Sequence, residues 1–349
     1  MLQTLFRNSQ MSSSISGTAT GAAQGALETA FNSPHLVGAT WVVSSALFTT
    51  YSTTKFLKYD TSSTTSVETK PKKTPSLLSK MSRPELLTLS RFAGSLLLGL
   101  IAHPDLKVLD RAFQTLDAAK HFALPAFFLY VANYMNSISL NRIGISLTYT
   151  SKCGIPLMTV LLTILTGGFH DLPNPLALAS LIPIAVGIAC ASWNSPSFEL
   201  MGFLAAMTST LAQSALNVSS KRAIMKTGVK GPDAQRAMVA VGLVLAVTST
   251  AVQKLKSSDD DSSVERSHPP AWLGAAAVLA YHIEYVLSFM FVRLVKPITY
   301  GTCDAMRRLS IILTGQAMFG GAPFTHINIF GIALSLLGAL SFSIASTMK

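Results

Sequence analysis

The chain has 349 residues, of which 49% are apolar and 12% charged, with a formal charge of +11 at pH 7 and a mean hydropathy of +0.44. That charged share is about half the roughly 25% of soluble domains, which argues against a soluble helical bundle because too few charges remain to coat a water-facing surface. The three cysteines, Cys153, Cys190 and Cys303, all fall in apolar runs without a Cys or His at ligand spacing, so neither a disulfide framework nor a zinc site is expected.

Residues 1–34 are rich in Ser, Ala, Gly and Thr, with Glu28 as their one acid. They lack the apolar stretch and cleavage site of a secretory signal, and read as a disordered or targeting tail. A helix needs about 20 mostly apolar residues to cross a bilayer core. About ten such runs follow, near 36–57, 84–103, 120–140, 143–166, 173–193, 197–219, 234–253, 270–292, 297–317 and 326–347. The fold class expected is therefore an all-α membrane protein with about ten transmembrane helices. Two polar connections interrupt the runs. Residues 58–83 form a basic loop rich in Ser, Thr and Pro. Residues 255–269 hold three consecutive aspartates without the Gly and terminal Glu of a calcium loop, and read as a solvated loop. Basic residues outside the runs divide nearly evenly between the two sides, so they do not orient the chain. No aromatics interleave with them as in a nucleic-acid motif, and no cofactor or metal is expected.

The chain also repeats itself. LTYT at 147–150 opens the fourth run and ITYG at 298–301 the ninth. Each run leads to a Gly pair, Gly167-Gly168 or Gly320-Gly321, and then to a short Pro-containing link. VGIACAS at 186–192 and LGALSFS at 337–343 close the two units. This divides the chain into a first five-helix repeat at 35–194 and a second at 195–349. Five spans is an odd number, so the second unit enters from the opposite side and the repeats are inverted. Inverted repeats point to secondary transporters, with the substrate site near the midplane at the repeat interface.

Four of the basic residues inside runs stand out: Arg91, Lys152, Arg307 and Arg308. Each costs roughly 2.5–3.5 kcal/mol at the centre of an inserted helix, so they should face a watery cavity or a partner. Arg91 lies near the start of its span, where it could snorkel to the membrane face. Lys152 is about 12 Å and Arg307 about 15 Å along their helices, too deep to snorkel easily. Their helices are equivalent in the two halves, which brings Lys152 and the arginine pair towards one central cavity. Asp304 stands one turn before Arg308 and can pair with it; Glu284 is the other acid within a run. Local pairing leaves two positive charges over, which implies an anionic solute. A phosphate monoester carries about −1.5 to −2 charge at pH 7, and the planar guanidinium fork suits its oxygens.

Three stretches carry a family resemblance: ISLTYTSKCGIP at 145–156, SSKRAIM at 219–225 and KPITYGTCDAMRRLSIIL at 296–313. They resemble the triose-phosphate translocator and nucleotide-sugar transporter family of the drug/metabolite transporter superfamily, over about residues 36–348. The resemblance implies a ten-helix antiporter exchanging an organic phosphate, such as a sugar phosphate or three-carbon phosphate, for inorganic phosphate. It implies that Lys152, Arg307 and Arg308 grip the phosphate. The plastid branch has a His and a Ser or Thr in its third helix where this chain has Asn133 and Asn136, and a Tyr in its eighth where ungapped counting gives Glu284 beside Tyr285. An Arg of its sixth helix falls on Leu216, and an acid after the fourth-helix Lys falls on Ile155.

Asn133, Asn136, Tyr149, Glu284 and Tyr285 are accordingly the further pocket candidates, with Glu284 expected to contact solute hydroxyls or to pair with Arg91 or Arg308. Lys221 and Arg222 read as a favourable positive helix end. The expected partners are a small phosphorylated anion and the lipid bilayer, in a plastid envelope or a Golgi or endoplasmic reticulum membrane. Two other activities fit the same runs: exchange of a nucleotide sugar for its monophosphate, or proton-coupled export with Glu284 or Asp304 carrying the proton. An empty carrier with uncompensated positive charge is costly to pass through a closed, low-dielectric state, because like charges repel there. Obligatory counter-exchange is expected on that ground.

Overall fold

The computed structural model describes residues 33–59, 81–101, 108–167, 173–193, 195, 197–229, 231–257, 269–295, 297–320, 324–346 and 348. The N-terminal tail to residue 32, most of both polar loops, and Gly168 and Gly321 lie outside the described residues. All regular structure among them is helical.

Among the described residues the main helices group into ten rods that lie over the ten expected runs. The first runs Pro34–Ser44, passes through a π-helical turn at Ser45–Thr49 and continues Thr50–Leu57. The others are Arg83–Ile101, Ala123–Arg142, Gly144–Lys152 with Ile155–Gly167, Pro175–Ser192, Leu200–Thr227, Gly231–Ser257, Ala271–Leu294, Pro297–Phe319 and His326–Ala345. Five contain at least 18 residues apolar enough to span a membrane, and the bent pair of the fourth rod makes a sixth. The first, third, sixth and ninth rods are long enough at 1.5 Å per residue. They are less apolar because each turns polar side chains inward, such as Thr49, Asn136, Asn217 and Arg308.

Two boundaries differ from expectation. The sixth rod continues to Thr227 rather than ending near 219, so Lys221 and Arg222 lie exposed within its last two turns. The seventh starts at Gly231, and Arg236 near its start is a further buried cation, 8% exposed and ion-paired to Asp233 one turn earlier. An additional short helix, Val108–Ala119, fills the connection after the second rod. Its sequence, VLDRAFQTLDAA, alternates apolar and polar residues at helical spacing.

The molecule is apolar outside as well as inside. Leu97, Leu165, Ile182, Val244, Leu313 and Leu337 are all more than half exposed, as expected where the solvent is hydrocarbon. Many inward hydroxyls bond their own helix four residues back, including Thr148 to Gly144 and Ser335 to Gly331, which satisfies them without a partner helix.

Helix pairing follows the repeat. The second rod packs on the seventh, the fourth on the ninth and the fifth on the tenth, while the contact of the third with the sixth is matched by that of the eighth with the first. The fifth and tenth rods run antiparallel, and each is clasped at its end by an asparagine of the other. Asn174, which caps the start of the fifth, donates to the carbonyls of Ala345 and Met348 at 2.7 Å. Asn328, in the first turn of the tenth, donates to Ala191 at 3.1 Å and Trp193 at 2.9 Å. Between these clasps the backbones touch. A Cβ on Gly331 would stand 2.3 Å from the Ala191 nitrogen, and one on Gly187 2.5 Å from the Ser335 nitrogen. Small residues permit such crossings between membrane helices. Gly331→Val should therefore force the two rods apart at a cost of about 3 kcal/mol. Thermal denaturation in detergent checks this, with lipid-facing Leu337→Val as a control expected to change little.

Candidate functional site

A cavity of about 420 Å³ lies between the rods, lined by residues of the first, second, third, fourth, sixth, eighth, ninth and tenth. Lys152, Arg307, Arg308, Asn133, Asn136, Tyr149, Glu284 and Tyr285 all line it. Eight side chains from four rods thus meet in one space.

The fourth rod is shaped for this. Its helix bends by 41° between Gly144–Lys152 and the following segment. Pro156 lacks the N–H that would bond the Lys152 carbonyl one turn back, and Gly154 lies within the break. The carbonyl so freed accepts from Arg308 Nη1. The GIP sequence therefore both breaks the helix after Lys152 and gives the ninth rod an anchor on it.

The ninth rod carries the charge. Asp304, Arg307 and Arg308 sit at i, i+3 and i+4, which places them on one face. Arg308 Nη2 bonds Asp304 Oδ2 at 2.5 Å, and Arg307 bonds Asp304 Oδ1 through Nη2 at 2.7 Å and Nε at 3.1 Å. Arg307 Nη1 reaches the eighth rod, donating to Glu284 Oε1 at 2.5 Å. Its guanidinium also lies 4.9 Å from the centre of the Trp41 ring, a favourable cation–π distance. Glu284 thus pairs with Arg307, not with Arg91 or Arg308 as expected from the sequence: the arginine's third free edge points across the cavity, while Arg308 is turned towards the fourth rod.

Lys152 differs from both arginines. Its ammonium has no hydrogen bond or ion pair among the described residues, and stands 5.6 Å over the Tyr149 ring. Arg91 does not snorkel to the membrane face. It is 4% exposed, lines the same cavity, donates to Thr53 Oγ1 and lies 5.3 Å over the Tyr281 ring. Four cations and two carboxylates, Glu284 and Asp304, therefore line the cavity, a formal excess of two positive charges.

Other lining residues carried little signal in the sequence. Tyr300 is the exception, since it lies 151 residues after Tyr149 and occupies the matching place in the repeat. It stacks on Trp41 with centroids 5.3 Å apart and hydrogen-bonds Ser288 at 3.1 Å. Gln213 and Asn217 bring amides from the sixth rod. Leu216 is absorbed in the apolar core, so the sixth rod offers no cation there. Ile155 lines the cavity as an apolar side chain.

The rods and this cavity define a multi-pass α-helical membrane protein with a cationic chamber between its rods. The chain matches the Triose-phosphate Transporter family over residues 60–343, and it belongs to that family. It is similar to phosphoenolpyruvate/phosphate translocator 2, chloroplastic, of Arabidopsis thaliana, with 26% identity over 63% of this chain and 58% of that protein. It is likewise similar to the triose phosphate/phosphate translocator of non-green plastids of Brassica oleracea var. botrytis, 26% identical over 63% of this chain and 55% of the relative. Glucose-6-phosphate/phosphate translocator 2, chloroplastic, of Arabidopsis thaliana is 28% identical over 59% of this chain and 54% of its own length. The chain therefore spans little more than half the length of these relatives.

Proposed function

We propose that this protein is an antiporter exchanging a small phosphorylated organic anion for inorganic phosphate across an organelle membrane, with a plastid envelope the membrane the named relatives favour. The observation that carries the reading is the excess of two positive charges in a buried chamber. Lys152 supplies an ammonium free of carboxylates, and Arg308 stands beside it through its bond to the Lys152 carbonyl. These two are the primary phosphate grip. Arg307 is held by both Asp304 and Glu284, and its remaining N–H groups complete the grip. Asn133, Asn136, Tyr149 and Tyr285 face the rest of the solute.

The charge count supports counter-exchange. Two uncompensated charges match the roughly −2 of a phosphate monoester or of inorganic phosphate. A loaded chamber is near neutral and can close, whereas an empty one must bring desolvated like charges together.

The test is uptake of labelled phosphate into proteoliposomes preloaded with one of several solutes: three-carbon phosphates, pentose or hexose phosphates, or nucleotide monophosphates. Uptake driven by a phosphate ester supports this reading. Uptake driven by nucleotides alone moves the solute to a nucleotide sugar, and uptake that follows only a proton gradient contradicts phosphate exchange.

A further inference from the structure

A second cavity, of about 480 Å³, lies between the start of the second rod and the end of the third. Ser82 and Arg83 line it on one side, and Tyr134, Ile138, Asn141 and Arg142 on the other. It shares no described lining residue with the central chamber. Two guanidinium groups thus border one space, and none of its described lining residues is a carboxylate. The two rods have 19 and 20 residues. At 1.5 Å per residue each is about as long as the roughly 30 Å hydrocarbon core of a bilayer. A cavity at their shared end therefore lies at the level of the lipid headgroups.

Each arginine is positioned through one nitrogen and keeps its other N–H groups. Arg83 Nη1 donates to the Leu57 carbonyl at 3.1 Å, which ties it to the end of the first rod. Arg142 Nη1 donates to Glu199 at the start of the sixth. That pair is nearly half exposed, at 46% and 44%, and an exposed ion pair contributes little. Glu85, in the first turn of the second rod, is already engaged. Its Oε2 accepts from the Ser82 N–H at 2.8 Å and its Oε1 from the Tyr134 hydroxyl at 3.4 Å. Neither acid lines the cavity.

We propose that this cavity is a separate anion site at the membrane face, which takes the phosphate of an anionic phospholipid headgroup between Arg83 and Arg142. Guanidinium forks suit phosphate oxygens, and basic pockets between transmembrane helices hold such headgroups. A zwitterionic headgroup fits worse, because its ammonium stands against two like charges. The bound lipid joins the second and third rods, whose arginines already hold the first and sixth, so it stabilises the bundle. Free inorganic phosphate offers the same oxygens, and the test separates the two sources. The site does not depend on phosphate exchange in the central chamber.

The experiment is thermal denaturation of the full chain in detergent, titrated with phosphatidylglycerol, phosphatidylcholine or inorganic phosphate. Phosphatidylglycerol should raise Tm more than phosphatidylcholine. In Arg83→Gln the lipid concentration that gives half this rise should increase about tenfold or more, as the loss of one charge-assisted hydrogen bond implies. Arg142→Gln gives up only a half-exposed ion pair, should have the same effect, and decides the matter if Arg83→Gln fails to fold. Lys152→Met, in the central chamber, should leave the lipid response unchanged. An equal response to the two lipids, or a phosphatidylglycerol response that is the same in wild type and the arginine variants, overturns the lipid site. A rise in Tm with inorganic phosphate that persists in Lys152→Met and is lost on adding Arg83→Gln, without a phosphatidylglycerol response, overturns the lipid as occupant and assigns the cavity to free phosphate.

Discussion

Lys152→Met lowers phosphate exchange by about ten- to a hundredfold while the helix bundle stays intact. The size follows from one charge-assisted hydrogen bond to phosphate, about 1.5–3 kcal/mol, at a factor of ten per 1.4 kcal/mol. The fold survives because the ammonium makes no hydrogen bond or ion pair among the described residues. Methionine keeps the unbranched stem and a good helix propensity. Exchange rates and thermal denaturation on the same preparations separate the two effects. Near-wild-type exchange in Lys152→Met would remove this lysine from the grip. A collapse in Tm would show that its charge is structural.

Asp304→Asn has the opposite profile, with a large loss of stability. Asp304 accepts from both arginines, at 2.5 Å from Arg308 and 2.7 and 3.1 Å from Arg307. Its carboxylate is the anion that lets two adjacent guanidinium groups stand inside the protein. Removing one partner of a buried pair costs about 3–5 kcal/mol, a large part of a typical stability of about 5–15 kcal/mol. Glu284→Gln should cost less, since Arg307 keeps Asp304. Inorganic phosphate should raise the Tm of Asp304→Asn more than that of wild type, because the anion replaces the missing charge. Binding at a hundred times Kd is worth about 2.7 kcal/mol. Equal shifts in the two proteins would argue that phosphate does not reach the arginines.

Much of this was legible in the sequence. Ten apolar runs and three deep cations follow from hydropathy, spacing and the cost of charge in lipid. All eight candidate residues line one cavity because the repeat places the fourth and ninth rods at equivalent positions. The repeat also marks Gly187 and Gly338, in VGIACAS and LGALSFS, where the fifth and tenth rods cross; a Cβ on Gly338 would meet the Ile184 nitrogen at 2.9 Å.

The rest depended on rotation about helix axes, which composition does not encode when both faces are apolar. Arg91 sits near enough to its helix start to reach either lipid headgroups or the interior; only packing against Thr53 and Tyr281 decides. The first rod gave no sign of lining the cavity, because its π-helical turn at Ser45–Thr49 shifts the helical phase just where Thr49 and Thr53 turn inward. Glu284 has several cations within reach of its rod, and its choice of Arg307 follows from Arg308 being drawn to the Lys152 carbonyl that Pro156 frees. Arg236 is the third residue of the run at 234–253, near enough to its start to read as an end charge, and its acid, Asp233, stands just before that run.

The most direct test of the central claim, that an anion must neutralise the chamber before it can reorient, is efflux from proteoliposomes loaded with labelled phosphate. Efflux is followed into buffer without phosphate, then after phosphate is added outside. The account predicts slow loss until external phosphate arrives and a sharp acceleration when it does. Net efflux as fast as exchange would contradict it.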